Sequence, residues 1–198
     1  MDINAMNLRD DLQLIYDWIP ANAHVLDLGC GTGELLHALM QHKNCTGYGV
    51  EIDVDSVQAA LERGVNVLQA DLERGLDSFA DNSFDVIVLS QTIQAMQNTE
   101  NILRDLTRIA KQAIVSFPNF GYWQNRLQIA LCGHMPVSER MPYQWYNTPN
   151  IHWCTLSDFD RLCDKNHIRV LERAVMTSGK RVEYLPNLLG SLAFYRVG

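Results

Sequence analysis

Short apolar runs alternate with segments of helical periodicity over the first 117 residues of the chain. The run Asp85-Val86-Ile87-Val88-Leu89 is apolar almost throughout, which is typical of a strand that is covered on both faces. Repeated alternation of this kind predicts a parallel sheet with right-handed crossovers, that is, a doubly wound α/β fold. The predicted strands are residues 24–28, 46–51, 66–70, 85–89 and 113–117, and the predicted helices are residues 5–19, 34–42, 54–63 and 100–110.

The alternation stops after Phe117. Residues 118–156 hold four of the six prolines and three of the four tryptophans, and we expect a short helix at 121–132 within them. A segment of this length without regular structure is usually functional or disordered, and its aromatic content argues against disorder. We therefore expect one domain over residues 1–198, with an aromatic-rich lid inserted at about 118–156. The last predicted elements are a helix capped by Ser157 that runs to about residue 166 and strands near 168–176 and 190–197, which complete a mostly parallel sheet of seven strands.

Charge and hydropathy limit the partners that the chain can have. The 198 residues include 23 Asp or Glu and 16 Lys or Arg, a formal net charge of -7. Nucleic-acid binding needs clustered cations, so we expect no nucleic-acid partner. No apolar run approaches the roughly 18 residues that span a bilayer, and acids stand where a signal peptide would carry basic residues. We expect a soluble cytoplasmic protein without membrane association.

The cysteines and histidines do not form a metal-binding pattern. The five cysteines are odd in number and include no CxxC pair, so the sequence predicts neither a disulfide framework nor a zinc site. The six histidines show no ligand spacing. We therefore expect no metal.

The stretch VLDLGCGTG, residues 25–33, places a glycine loop between the first predicted strand and the helix that follows. Such loops occur in nucleotide and dinucleotide sites, because glycine allows a tight turn and the helix N-terminus favours negative charge. The dinucleotide pattern GxGxxG fails here, since its last position is Glu34, whose carboxylate would repel a pyrophosphate. The P-loop pattern is absent as well. The loop disfavours NAD and FAD, which stay an alternative, and does not support nucleoside triphosphate hydrolysis.

Three acids stand at the ends of three successive predicted strands. Asp27 is expected to face a ligand ammonium group, because an ionisable group there is costly to bury unpaired; the alternative is an acid that only caps the loop. Glu51 lies about 20 residues beyond Gly31, at the position from which a carboxylate accepts from ribose hydroxyls. Asp71 follows the third strand and is expected to accept from an adenine amino group, with Leu72 packed on the ring. All three acids are expected at the carboxyl edge of the sheet, where such folds bind ligands.

A phosphate-free ligand with a cationic amino-acid end, a ribose and an adenine would use all three acids. S-adenosylmethionine has these groups, and S-adenosylhomocysteine shares most of them. Ser90, after the fourth strand, is expected beside the methyl group. The residues of the predicted cofactor site are Asp27, Gly29, Cys30, Gly31, Gly33, Glu51, Ile52, Asp71, Leu72 and Ser90.

These motifs resemble those of class I S-adenosylmethionine-dependent methyltransferases, and three further segments resemble the methionine biosynthesis protein MetW family. The segments are residues 90–94 (SQTIQ), 116–121 (SFPNFG) and 143–152 (YQWYNTPNIH). The resemblance runs from about Arg9 to about Ala174, and Thr32 departs from it where many members carry an acid. It implies a Rossmann-like methyltransferase fold and a role in methionine biosynthesis beside MetX, the homoserine O-acyltransferase. It also implies that such proteins are partners needed for acyltransferase output rather than proven methyltransferases.

The acceptor side of the predicted site has no convincing catalytic base, and no catalytic residue is assigned. The [DN]PP[FY] tetrapeptide of amino-group methylation is missing, since residues 90–93 (SQTI) occupy its place. His152 is the best candidate base, with Tyr143, Trp145 and Tyr146 as candidate pocket walls, although a lone histidine is more often structural. Three hypotheses follow: an S-adenosylmethionine-binding partner of homoserine O-acyltransferase, a methyltransferase acting on a small metabolite, and, with less support, a nucleotide-binding oxidoreductase.

Overall fold

The computed structural model describes residues 8–74 and 76–198. The chain divides into two compact units: residues 1–90 with 105–114, and residues 91–104 with 115–198. The helices are α1 (Asp10–Trp18), α2 (Glu34–Lys43), α3 (Val54–Glu62), α4 (Thr99–Ile109), α5 (Trp123–Leu127), α6 (Leu156–Lys165) and α7 (Pro186–Leu189). The strands are β1 (His24–Leu28), β2 (Thr46–Glu51), β3 (Val67–Gln69), β4 (Phe84–Ser90), β5 (Ala110–Pro118), β6 (Val170–Thr177), β7 (Lys180–Arg181) and β8 (Leu192–Val197).

The first unit contains the parallel strands in the order β3-β2-β1-β4. Asp27 in β1 lies opposite Gly49 of β2 and Val88 of β4, so β1 is paired on both sides. Its neighbours Leu26 and Leu28 are fully buried, as the apolar strand pattern predicts. The carboxyl end of β1 therefore lies at the edge of the sheet where open α/β folds place their ligands.

The second unit contains the end of β5, from Val115 onward, and strands β8, β6 and β7. Along the sheet these strands follow the order β5-β8-β6-β7, and β6 runs antiparallel to both β8 and β7. Three aromatic rings fill its core. Tyr195 stacks on Phe117 with 5.8 Å between ring centroids and packs against Phe159 at 4.5 Å. The apolar faces of β5, β8 and α6 are held together by this cluster, because offset and tilted aromatic contacts add to the free energy of burial.

The α/β fold with a mostly parallel sheet is confirmed, and several predicted boundaries change. The described residues form eight strands rather than seven, because the two-residue β7 forms a short hairpin with the end of β6. α1 begins at Asp10, and residues 5–7 of the predicted helix lie outside the described residues. The helix predicted at 121–132 consists of α5 followed by a π-helical segment, Gln128–Cys132.

The N-cap of α6 is Thr155, and the prediction of Ser157 is wrong. The Thr155 hydroxyl accepts from the Asp158 N–H, while the Asp158 carboxylate accepts from the Thr155 N–H at 3.0 Å. This capping box pairs two backbone donors that the helix itself leaves unpaired. At α3 the predicted cap holds, since the Asp53 carboxylate accepts from the Ser56 N–H at 2.9 Å.

The segment that links the π-helical turn to α6, residues 133–155, has no regular structure beyond a bridge between Ser138 and Met141. Two of its aromatic side chains, Trp145 and Tyr146, are 73% and 70% exposed. In the described ranges no helix is long and apolar enough to cross a membrane.

Candidate functional site

The glycine loop between β1 and α2 adopts the left-handed backbone that its sequence predicts. Gly29, Gly31 and Gly33 have φ angles of 74°, 53° and 75°, which favour glycine because a Cβ would be strained there. At Gly33 a Cβ would lie 3.1 Å from Ala60 and from Val65, so this glycine serves packing. At Gly31 a Cβ would meet no atom within 4 Å. The space over Gly31 is therefore open to a ligand.

Asp27 is a buried carboxyl group at the start of this loop. Its side chain is 3% exposed, and no hydrogen-bond donor reaches it from the residues that the structure describes. Burial raises the pKa of Asp27 to about 7, and the nearby charge of Glu51 adds to the effect. Because burial without a partner disfavours the ionised form, a cation entering the site would stabilise the carboxylate.

Glu51, at the end of β2, holds the loop through its carboxylate. Oε2 accepts from the Gly31 N–H at 2.9 Å, and Oε1 accepts from the N–H groups of Ile52 and Asp53 at 2.7 and 3.0 Å. An ionised carboxylate offers about four acceptor positions, so capacity for a hydroxyl remains. Glu51 thus orders the loop, a structural task that the sequence analysis did not predict.

A cavity of about 250 Å³ opens over the loop within the first unit. Its lining includes two acids, Asp27 and Glu34, and one arginine, Arg9. Glu34 already lies 3.5 Å from the Arg63 guanidinium. The other lining residues are Leu12, Gly29, Cys30, Gly31, Thr32, Leu35 and Ser90. The structure therefore brings five predicted residues around one cavity, namely Asp27, Gly29, Cys30, Gly31 and Ser90.

The other predicted residues lie beside the cavity or at neighbouring strand ends. Glu51 bonds to Gly31 in the cavity lining, and Ile52, which follows it, is 62% exposed. Asp71 accepts from the Glu73 N–H at 2.9 Å and lies 3.9 Å from the Arg74 guanidinium, while Leu72 is buried in a short 3₁₀ turn. The structure does not bring Gly33, Glu51, Ile52, Asp71 or Leu72 into the lining of this cavity.

Arg9 is the charged lining residue that the sequence analysis missed. It directly precedes α1, and its guanidinium is 65% exposed and 3.6 Å from the carboxylate of buried Asp11. A single arginine before a helix has no distinguishing pattern in the sequence. Its position at the cavity arises because α1 packs against α2, the helix that follows the glycine loop.

His152 and the predicted pocket walls belong to the second unit. His152 is exposed, and its Nε2 lies 3.4 Å from the Gln97 carbonyl oxygen. Tyr143, Trp145 and Tyr146 are 48%, 73% and 70% exposed. Within the described residues no group of three His, Cys, Asp or Glu side chains could hold a metal ion.

The strand order and the loop at the carboxyl end of β1 define the fold of class I S-adenosylmethionine-dependent methyltransferases. A methyltransferase structure from Thermotoga maritima superposes with a TM-score of 0.67 over 95% of this chain and 86% of its own, at 22% identity. One from Mesorhizobium loti has a TM-score of 0.70 over 97% and 99% of the two chains, at 13% identity. At these identities the similarity establishes the fold.

The chain belongs to the MetW family, since the family model described as "Methionine biosynthesis protein MetW" matches residues 9–197. The bifunctional methionine biosynthesis protein MetXA/MetW of Rhodopirellula baltica is 34% identical over 189 residues, 90% of this chain. The chain spans 30% of the length of that relative. A carboxy-S-adenosyl-L-methionine synthase of Campylobacter lari is 26% identical over 183 residues, covering 78% and 77% of the two chains. The family predicted from the sequence is confirmed.

Proposed function

We propose that this chain binds S-adenosylmethionine over the glycine loop. The observation that carries the proposal is the Asp27 carboxyl group, which is 3% exposed, lines the loop cavity and has no hydrogen-bond donor among the described residues. A ligand ammonium group would supply the missing donors and the opposite charge. The cavity of about 250 Å³ suits the amino-acid end of such a ligand rather than its whole length.

The residues around the cavity match the remaining groups of this ligand by their chemistry. Arg9 offers a planar guanidinium for the ligand carboxylate, which Arg binds in a bidentate manner. Glu51 retains acceptor capacity for the ribose hydroxyls, and Asp71 and Leu72 stay our candidates for the adenine. When bound, S-adenosylmethionine supplies a methyl group on a sulfonium. The role of these side chains is to bind and orient the ligand.

We further propose that the chain acts as a partner of homoserine O-acyltransferase in methionine biosynthesis. The support is the Rhodopirellula relative, whose name combines MetXA and MetW and in which a segment similar to this chain covers 30% of the length. Joining two modules in one chain keeps them at high effective concentration, which benefits modules that act together. We propose S-adenosylmethionine as a feedback signal for this partnership, because it is the downstream product of methionine biosynthesis. By linkage, a ligand that changes the affinity for the partner must bind with different affinity to the complex.

The partnership predicts that homoserine acylation by purified acyltransferase rises when this chain is added, and that S-adenosylmethionine changes the increase. Acylation rates are measured with and without the chain over a range of ligand concentrations, and association is followed by sedimentation. The Asp27→Asn variant is the control, because it should retain the partner effect in the absence of ligand but need about 10- to 100-fold more ligand for the same response. Equal rates and no association at any ligand concentration would refute the partnership.

Arg9→Gln is expected to weaken S-adenosylmethionine binding by about tenfold, which corresponds to about 1.4 kcal/mol. The effect is smaller than that of a buried charged hydrogen bond because the Arg9 side chain is 65% exposed and water screens its charge. Decarboxylated S-adenosylmethionine lacks the group assigned to Arg9, so the substitution should leave its affinity unchanged. Calorimetric titration of both ligands measures the two ratios, with Arg181→Gln as an exposed control on β7. Equal losses for both ligands would assign Arg9 a structural role instead.

A methyltransferase acting on a small metabolite is the second candidate. It is favoured by Ser90, which lines the cavity together with the donor-side residues. Incubation of metabolite pools with methyl-labelled S-adenosylmethionine tests it, and no label transfer across broad pools would count against it. Titration with NAD in parallel tests the oxidoreductase hypothesis, in which NAD would bind and S-adenosylmethionine would not.

A further inference from the structure

A second cavity, of about 510 Å³, lies within the second unit. Its walls come from residues 93–101, which lead into α4, from the segment around His152, and from α6. Cavities of this size are in the range that binds small metabolites. Neither the glycine loop nor any residue of the first unit contributes to its lining.

The walls of this cavity are fixed by hydrogen bonds. The Gln94 carbonyl accepts from the N–H groups of Ile151 and His152 at 2.8 and 2.9 Å, which ties residues 151–152 to the turn before α4. α4 and α6 are joined where Lys165 donates to Glu100 at 2.9 Å, and a second bond at 2.9 Å runs from Arg104 to Asn166. Because hydrogen bonds hold the walls on both sides, the cavity is preformed. Little conformational entropy of the protein would therefore be lost when a ligand binds.

The side chain of Gln94 lines the cavity and carries a buried acceptor without a partner. The residue is 8% exposed, and its Oε1 has no hydrogen bond among the described residues. Its Nε2 donates to the Gln91 carbonyl at 2.6 Å. If the Gln94 side-chain amide were rotated by 180°, Oε1 would face the Gln91 carbonyl oxygen, and two acceptors would meet. The hydrogen bond from Nε2 therefore fixes the orientation of the amide. A buried acceptor without a donor is unfavourable, and a ligand N–H would remove the penalty.

The charged groups in the lining make the cavity unfavourable for anions. Hydrogen bonds from Thr155 lower the pKa of Asp158, and the bond from Lys165 lowers the pKa of Glu100, so both are ionised near neutral pH. Lys165 and Arg104 offset the charge of Glu100. Asp158 has no salt bridge within the part of the chain that the structure describes. A ligand carboxylate would therefore meet net negative charge.

We propose that this cavity is a small-molecule site that binds an N–H donor on a short apolar body without an anionic group. The donor bonds to Oε1 of Gln94 after a small shift of that side chain, because the oxygen is buried in the unliganded structure. The apolar body packs against Ile93, Phe159 and Leu162 in the lining. An amine or a neutral amide has this chemistry. The site is independent of S-adenosylmethionine binding, so its failure and that of the proposed function are separate results.

Three probes with the same branched apolar body test the site: isoamylamine, isovaleramide and isovalerate. The amide and the carboxylate have equal shape, and the amine lacks their carbonyl oxygen. Their binding to the full-length protein is followed by chemical-shift changes in its NMR spectrum. We expect the amine or the amide to bind saturably, with shifts concentrated around Gln94 and α6, and at least about tenfold more tightly than isovalerate. Equal or tighter binding of isovalerate, or shifts that do not saturate, would overturn the proposal. Binding of the amide but not the amine would assign the site to neutral ligands, and the reverse to ammonium groups.

Two substitutions locate the binding. Gln94→Met keeps the side-chain length but removes the acceptor, and should weaken the bound probe by about tenfold. Asn101 is exposed on α4 and lines the cavity, so Asn101→Trp should fill the cavity and abolish probe binding. This variant tests the site even if Gln94→Met does not fold. Asp164→Trp, exposed on α6 outside the lining, is the matched control and should bind as the unmodified protein does. Unchanged binding in Asn101→Trp would exclude this cavity as the site.

Discussion

Replacing Asp27 with asparagine is expected to weaken S-adenosylmethionine binding by about 10- to 100-fold near neutral pH. The substitution keeps the size of the side chain and removes the charge that would pair with the ligand ammonium group. Because the carboxyl group is buried in the cavity wall, this pair is shielded from water and contributes about 1.5–3 kcal/mol. Calorimetric titration of the purified chain measures the ratio.

The matched control is Asp17→Asn, which changes an exposed acid on α1 and should leave the affinity unchanged. The affinity of the unmodified protein should also rise as pH increases through about 7, because the proton on Asp27 must leave before the ammonium group can pair with it. Asp27→Asn should remove this pH dependence. An unchanged affinity in Asp27→Asn would contradict the assignment of Asp27 to the ammonium group.

The raised pKa of Asp27 also has a consequence for stability without ligand. Its folded value of about 7 exceeds its ordinary value of 3.8, so between these values the folded state binds more protons than the unfolded state. The free energy of unfolding therefore falls as pH rises from about 4 to about 7. The loss that is due to this group is up to a few kcal/mol. Asp27→Asn should be the more stable protein at about pH 8 and lose that advantage at about pH 4, which urea unfolding measures.

Replacing Glu51 with glutamine is expected to loosen the glycine loop and to weaken S-adenosylmethionine binding by about 100-fold. The carboxylate accepts from the N–H groups of Gly31, Ile52 and Asp53. Glutamine has one acceptor oxygen, so its NH₂ group would face at least one of these donors and leave it unpaired, at a cost of about 1–3 kcal/mol. The substitution also removes an acceptor assigned to the ribose. Calorimetry measures the affinity, and hydrogen exchange at the Gly31 amide measures the order of the loop.

The same variant should lower the pKa of Asp27, because the charge of Glu51 is the second cause of its elevation after burial. Glu62→Gln, at the exposed end of α3, is the matched control and should change neither loop exchange nor affinity. Fast hydrogen exchange at the Gly31 amide with unchanged S-adenosylmethionine affinity would show that the order of the loop does not affect ligand binding. Unchanged exchange would show that the Glu51 hydrogen bonds do not order the loop.

The first unit was the more predictable half of the fold because its signals are local. β1 and β2 have the predicted bounds, since an apolar run that ends at glycine or at an acid shows where a buried parallel strand stops. The cap of α3 at Asp53 was equally local, because it depends on one side chain and the turn after it. At α6 two polar residues, Thr155 and Ser157, lie two positions apart at the start of the helix. Thr155 is the cap because Asp158, three residues later, completes a capping box.

The sequence alone determined the α/β fold and the glycine loop with its acid, because periodicity, glycine and charge placement are properties of short segments. The MetW family followed instead from the resemblance of residues 90–94, 116–121 and 143–152 to members of that family. Only the tertiary structure showed that Arg9 reaches the loop cavity, since this depends on the packing of α1 against α2. Only the tertiary structure also showed that Glu51 accepts from three backbone N–H groups and that Oε1 of Gln94 is buried without a hydrogen-bond donor among the described residues. Hydrogen-bond satisfaction is decided by which groups meet when distant segments pack, and no local pattern encodes it.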